Sequence, residues 1–277
     1  YSTQSIRLEE GLHTLQFRSG DRAGNIEADH ILTINVDGTL PSQIIDLTAI
    51  ATSENSILLN WTAPGDDGIV GRVQSYDIWV SSSPILTETD LASVGKISQS
   101  IVPDLPDTNE SFIVTGLLEN TQFYFAIRAR DKVDNLSPLS NGIGVRTFVK
   151  ALSADSKVTL SAPTETLEIA RISTLSVQGL SAFTVALAQN LGIVGSIYQL
   201  EPSGIVFQEP GILKFFYDVG ALSGSSTNTL AIFQYTGTEW SSASITNQII
   251  DPINNTVFGE LLHLSTYALC TSKDITP

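Results

Sequence analysis

Cysteine occurs once in this chain, at Cys270, so no intrachain disulfide is available to hold it together. Secreted domains of eukaryotes commonly lean on such cross-links. A lone thiol therefore points to modules held by their cores alone, as in bacterial extracellular β-proteins. Basic residues are scarce too: 14 Lys and Arg stand against 29 Asp and Glu, for a formal charge of −15. Affinity for nucleic acid or anionic lipid comes from clustered Lys and Arg, so this balance excludes a nucleic-acid partner and suits a surface in a salty, cation-bearing medium. The three histidines, His13, His30 and His263, lack metal-ligand spacing, and no Gly-x-Ser-x-Gly, phosphate-loop or dinucleotide fingerprint occurs. The chain is accordingly not expected to be an enzyme of the usual kind, and no resident cofactor is expected, with calcium the one ion to consider. Apolar runs are strand-sized, well short of the ~18 residues of a membrane helix, so no membrane span is expected. Methionine is absent and the first residue is Tyr1, so the chain reads as a processed piece or fragment, with any signal peptide or anchor outside it.

What is present is period two. Short alternating or β-branched segments, separated by Gly, Asn, Asp and Pro clusters, recur throughout the 277 residues, and no long helical period competes with them. The fold class expected is all-β. Residues 1–38 hold three strand candidates, with Leu15 and Phe17 on one face of the second and Leu32, Ile34 and Val36 on one face of the third. Residues 41–148 carry Ile57, Leu59 and Trp61 on one strand face, Tyr76, Ile78 and Val80 on another, and Phe123, Phe125, Ile127 and Ala129 on a third. Such stripes are what two stacked sheets bury between them. Residues 149–273, richer in Ser, Thr and small apolar residues, offer strands near 156–162, 166–172, 194–200, 211–218, 229–235 and 255–269, leaving 274–277 as a tail.

Three resemblances give these units names. Gly11-Leu12-His13-Thr14-Leu15 followed by Asp21-Arg22-Ala23-Gly24-Asn25 resembles the closing hairpin of bacterial immunoglobulin-like repeats. Leu59 to Gly68, Ser75-Tyr76-Asp77-Ile78, Gly116-Leu117 and Asn120 to Ile127 together resemble a bacterial fibronectin type III module. Two positions depart from that pattern: Phe123 replaces the usual corner tyrosine and Glu119 the common proline. The lost hydroxyl is worth only ~1 kcal/mol, so the fold should survive. Tyr198 to Pro210, Ala231 to Tyr235, Glu239-Trp240 and His263 to Leu269 resemble the β-sandwich shared by ankyrins, netrin receptors and zonula-occludens proteins. The architecture implied is tandem immunoglobulin-like and fibronectin type III β-sandwiches with a further C-terminal β-sandwich.

Few residues suggest chemistry. His263-Leu264-Ser265 is similar to the cleavage signature of autoproteolytic domains, in which the histidine takes the serine proton and the hydroxyl attacks the preceding carbonyl. The same residues also read as a plain final strand, with Leu262 and Leu264 on one face and His263 and Ser265 on the other. Gly65-Asp66-Asp67-Gly68 offers Asp66 and Asp67 to a hard cation such as calcium, although paired acids between glycines also make an ordinary solvated turn. Trp79 is out of phase with Tyr76, Ile78 and Val80, which allows it to face outward and stack on a sugar ring or partner, or to lie under a loop.

The function expected is a non-catalytic structural or adhesive segment of a secreted or cell-surface multidomain protein. Accessory modules of a polysaccharide-degrading enzyme and a processing domain that cleaves itself at Leu264–Ser265 are the alternatives. Partners expected are other protein modules or neighbouring copies, which the open strand edges of the first hairpin would admit, and polysaccharide.

Overall fold

The computed structural model describes residues 5–163, 171–175, 191–222 and 227–271. The first two strands, β1 (Gly11–Phe17) and β2 (His30–Val36), form an antiparallel two-stranded ladder that sets Leu15 opposite Leu32. Leu12, Phe17, Ile31 and Leu32 are exposed, so this hairpin has no filled core of its own. Of the stretch ahead of β1, where the first of the three strand candidates in 1–38 falls, residues 5–9 form no strand and residues 1–4 lie outside the described residues.

Seven strands follow: β3 (Thr48–Ala51), β4 (Ile57–Thr62), β5 (Ser75–Ser81), β6 (Gly95–Lys96), β7 (Asn109–Val114), β8 (Gln122–Arg130) and β9 (Ile143–Arg146). They make a three-stranded sheet, β3-β4-β7, and a four-stranded sheet, β6-β5-β8-β9. The alternating side chains meet between the layers as the spacing requires: Ile57, Leu59, Trp61, Tyr76, Ile78, Phe125, Ile127 and Ala129 are all buried in one cluster. Fully burying a side chain of this size contributes ~1.5–3 kcal/mol, so the stripe is enough to drive the two sheets together. Phe123, lacking a hydroxyl, packs half-buried at the edge of that cluster. The corner leading into β8 is tied by Thr147 instead. Its hydroxyl donates to the Leu118 carbonyl at 2.6 Å and accepts from the Thr121 amide at 3.0 Å.

On the outer face of β5, Asp77 is almost fully buried between Lys96 Nζ at 2.6 Å and Arg130 Nη2 at 2.9 Å. Burial alone would raise its pKa, but hydrogen bonds from Lys96 and Arg130 outweigh that and hold the carboxyl below the usual range. A depressed folded-state pKa adds stability that is complete above the unfolded value of about 3.9 and is lost as pH falls through the folded value. Asp77→Asn should therefore lower stability by about 1–3 kcal/mol at pH 7, with the gap to wild type narrowing below about pH 4. Urea unfolding at pH 7 and pH 3 checks this; a gap of the same size at both would show that the ionised carboxylate contributes nothing.

The remaining chain supplies β10 (Val149–Leu152), β11 (Val158–Ala162), β12 (Arg171–Leu175), β13 (Ile193–Glu201), β14 (Val206–Phe216), β15 (Leu230–Tyr235), β16 (Trp240–Ser241), β17 (Ile245–Asp251), β18 (Thr256–His263) and β19 (Thr266–Thr271). They form two five-stranded sheets, β10-β11-β14-β18-β17 and β12-β13-β19-β15-β16. Leu160, Leu200, Leu213, Phe215, Ile232, Val257, Leu264, Tyr267 and Leu269 share one buried cluster drawn from both sheets. Most of the expected strands are present. The run 255–269 differs, being two strands in opposite sheets, while 149–152 and 245–251 are strands that the spacing did not reveal. The candidate at 166–172 lies mostly outside the described residues. Among the described residues, no helix is long and apolar enough to cross a membrane.

Candidate functional site

His263, Leu264 and Ser265 sit where the chain leaves β18 and enters β19, passing from one sheet to the other. The single-strand reading is corrected by this crossing: Leu262 is exposed and Leu264 buried, so the two do not share a face. The Leu264 amide donates to the Ile205 carbonyl, and its own carbonyl accepts from the Gly204 amide, both at 2.9 Å. The Ser265 hydroxyl donates to the Tyr235 carbonyl at 3.3 Å, whereas His263 Nδ1 faces the Tyr267 hydroxyl at 3.3 Å. Tyr267 donates to the His263 carbonyl at 2.6 Å, anchoring the strand end. The base and the hydroxyl that self-cleavage would couple are thus bonded to different partners, and neither Leu264 nor Ser265 adopts a positive φ. A serine without a base in hydrogen-bond reach remains a weak nucleophile.

The reading of Trp79 as an exposed stacking surface is also corrected. Its ring does point away from the main core, but it is only 9% exposed. After β5 the chain folds back through Ile85 and a short 3-10 helix, Glu88–Ser93, and Trp79 packs there with Ile85, Ala126 and Leu139. Lys96 Nζ lies 5.9 Å from the ring centroid. The indole is a second small core, closed to a sugar ring.

Asp66 and Asp67 separate rather than act as a pair. The loop that carries them turns sharply. A Cβ on Gly65 would stand 2.4 Å from the Val70 backbone nitrogen, so only glycine fits there. Asp66 turns inward and is 9% exposed; its Oδ2 is 3.7 Å from Lys132 Nζ, and its Oδ1 has no hydrogen-bond partner among the described residues. Burial lifts the Asp66 pKa, Lys132 offsets part of this, and the charges of Asp67, Asp131 and Asp37 add to the rise. Asp67 turns outward and meets two residues that sequence reasoning did not single out, Glu10 and Asp37. One carboxylate oxygen from each of Glu10, Asp37 and Asp67 lies within 4.8 Å of the others. Glu10 immediately precedes β1 and Asp37 immediately follows β2, so antiparallel pairing brings them together. The Pro41 to Gly68 bridge then sets the Asp67 loop beside them. Thr39 donates to Glu10, and its amide donates to Asp37. Desolvation raises the Asp37 pKa, with Asp67, Asp131 and Glu10 adding to it.

Comparison with known proteins agrees with the seven-stranded unit. The family model described as Fibronectin type III domain matches residues 41–143. The chain is 33% identical over 120 residues to Calcium-activated chloride channel regulator 4 of Homo sapiens, a match covering 42% of this chain and 13% of that protein. It is 25% identical over 143 residues to Chitinase A1 of Niallia circulans, covering 49% and 17%. With Exoglucanase B of Cellulomonas fimi it shares 26% identity over 136 residues, covering 47% and 11%. Each of these relatives is thus matched over less than a fifth of its length. Among solved structures, an Fn3-like protein from Clostridium thermocellum is 18% identical, covering 39% of this chain and 95% of that one, with a TM-score of 0.28. Family match and three-plus-four sheet order coincide, and residues 41–143 are a fibronectin type III domain within an all-β chain.

Proposed function

We propose that this chain is a non-catalytic structural segment of a secreted or cell-surface multidomain protein, a spacer whose units, 1–38, 41–148 and 149–273, present surfaces to other modules or to neighbouring copies. The observation that carries this reading is the uncoupling of His263 from Ser265, the most pointed nucleophile and base in the chain. The fibronectin type III match supports it by analogy of fold, since such domains commonly serve in extracellular proteins. The lone buried Cys270 and the hairpin resemblance at Gly11–Asn25 favour a bacterial source, and the ankyrin-like resemblance extends the series of sandwiches to the C-terminal unit. A second reading has its own support: two relatives are named as a chitinase and an exoglucanase, so the chain would be an accessory region beside a catalytic domain.

Sedimentation with insoluble chitin and cellulose separates the two. A spacer stays in the supernatant, whereas saturable retention would favour the accessory reading. Intact mass after prolonged incubation should show one uncut species for wild type and Ser265→Ala alike; a wild-type break at Leu264–Ser265 that the variant lacks would overturn the non-catalytic reading.

A further inference from the structure

The geometry points to a calcium site at the joint between the β1–β2 hairpin and the fibronectin type III domain, formed by Glu10, Asp37 and Asp67 with Asp131 beside them. Oxygens around one calcium at ~2.3–2.6 Å stand no farther apart than about 5 Å, and one oxygen from each of the three carboxylates already lies within 4.8 Å of the others. No Lys or Arg forms an ion pair with any of the three among the described residues; Lys132, next to Asp131 in the chain, pairs with Asp66.

An independent observation comes from Asp131, which is 1% exposed. Its Oδ1 accepts from the amides of Val133 at 2.9 Å and Asn135 at 2.8 Å, while its Oδ2 has no hydrogen-bond partner among the described residues. The chain contains the same loop a second time. At Asp21–Asn25, Asp21 Oδ1 likewise accepts from the amides of Ala23 and Asn25, but there Asn25 Nδ2 also donates to Asp21 Oδ2 at 2.7 Å. In the later copy that amide is diverted: Asn135 Nδ2 donates to the Asp37 carbonyl at 3.1 Å. The diversion ties the loop to the hairpin's exit and leaves a buried carboxylate oxygen bare beside Asp37 and Asp66, both of which feel the charge of Asp131. A buried carboxylate oxygen without a hydrogen-bond donor is one that a cation can compensate. Asp66 Oδ1, similarly bare, adds to the local negative field.

Calcium suits this group better than magnesium. Magnesium demands near-ideal octahedral geometry and keeps its waters, whereas calcium accepts irregular sets of carboxylates and carbonyls. Bound there, the ion would join the hairpin's two ends to the loop at Asp67 and fix the joint, with the Asp131 loop adding negative charge beside it.

The test is isothermal titration of the metal-stripped chain with calcium chloride at constant ionic strength. Saturable binding at one site is expected, with Kd in the ~10⁻⁴–10⁻³ M range of extracellular modules. Asp67→Asn, at an exposed position that should leave folding intact, is expected to weaken binding at least about tenfold, a loss of ~1.4 kcal/mol. Asp134→Asn lies in the same loop as Asp131, but its side chain is 81% exposed and its positive φ suits asparagine, so it should bind within about twofold of wild type. No saturable heat up to ~10 mM calcium, or binding indifferent to Asp67→Asn in a folded variant, overturns the assignment.

Discussion

Trp61→Ala is expected to cost the fibronectin type III domain about 3–5 kcal/mol. Trp61 is 1% exposed and stands edge-on to Tyr76, with ring centroids 5.1 Å apart and planes at 80°. It bridges the two sheets, with β4 supplying the indole and β5 the tyrosine, so truncation removes apolar area and leaves a cavity that rigid strands cannot close. A domain of this size is stable by only ~5–15 kcal/mol, so the loss takes a large share of the total. Urea unfolding followed by circular dichroism measures it. Cys270 offers an internal control, because its burial rests on Ile197, Trp240 and Ala268 in another cluster. Its labelling should stay slow while the mutated domain melts. A cost below about 1 kcal/mol would mean that Trp61 is not the keystone of the stacked layers.

The second large effect is expected at Leu264, which the cleavage motif would cast as a scissile residue and the structure casts as core. Leu264 is 1% exposed among Phe207, Leu261 and Tyr267, at the point where the chain crosses between sheets. Leu264→Ala should destabilise the C-terminal sandwich by about 2–5 kcal/mol. Ser265→Ala removes one 3.3 Å hydrogen bond and should cost no more than about 1.5 kcal/mol. Burial pushes the Cys270 thiol up to about 12, which leaves almost no thiolate in the folded state. Alkylation at pH 8 therefore reports opening of β19. Leu264→Ala should label far faster than wild type and Ser265→Ala nearly as slowly. The reverse order would return Ser265 to the centre of the region's chemistry.

These two residues also show what the amino-acid order makes legible. Trp61 belongs to a stripe with Ile57 and Leu59, and alternation alone places it between the sheets because strand geometry leaves it no other face. Leu264 is legible as apolar, but not as a crossing point, since the break between β18 and β19 depends on Ile205 and Gly204 receiving its backbone. Trp79 is open in the same way, legible as facing a ligand or lying under a loop. Its phase puts it outside the sandwich, and only the return of the chain through Ile85 covers it. The acidic joint is half legible. Asp66-Asp67 stands out locally, but Asp67's partners are one residue before β1 and one after β2, brought together by strand pairing and domain placement. The bare oxygen of Asp131 depends on where a single asparagine amide points, which no local pattern records.

Amide hydrogen exchange followed residue by residue tests the central claim most directly, namely that period-two side chains fill two separate double-layered cores. The slowest amides should fall in two groups: on β4, β5 and β8 around Leu59, Ile78 and Ile127, and on β11, β14, β18 and β19 around Leu160, Leu213, Val257 and Leu269. Amides of the exposed β1–β2 hairpin should exchange far faster than either. Rapid exchange at Leu59 and Ile127, or protection that follows a helical period across those segments, would contradict the account.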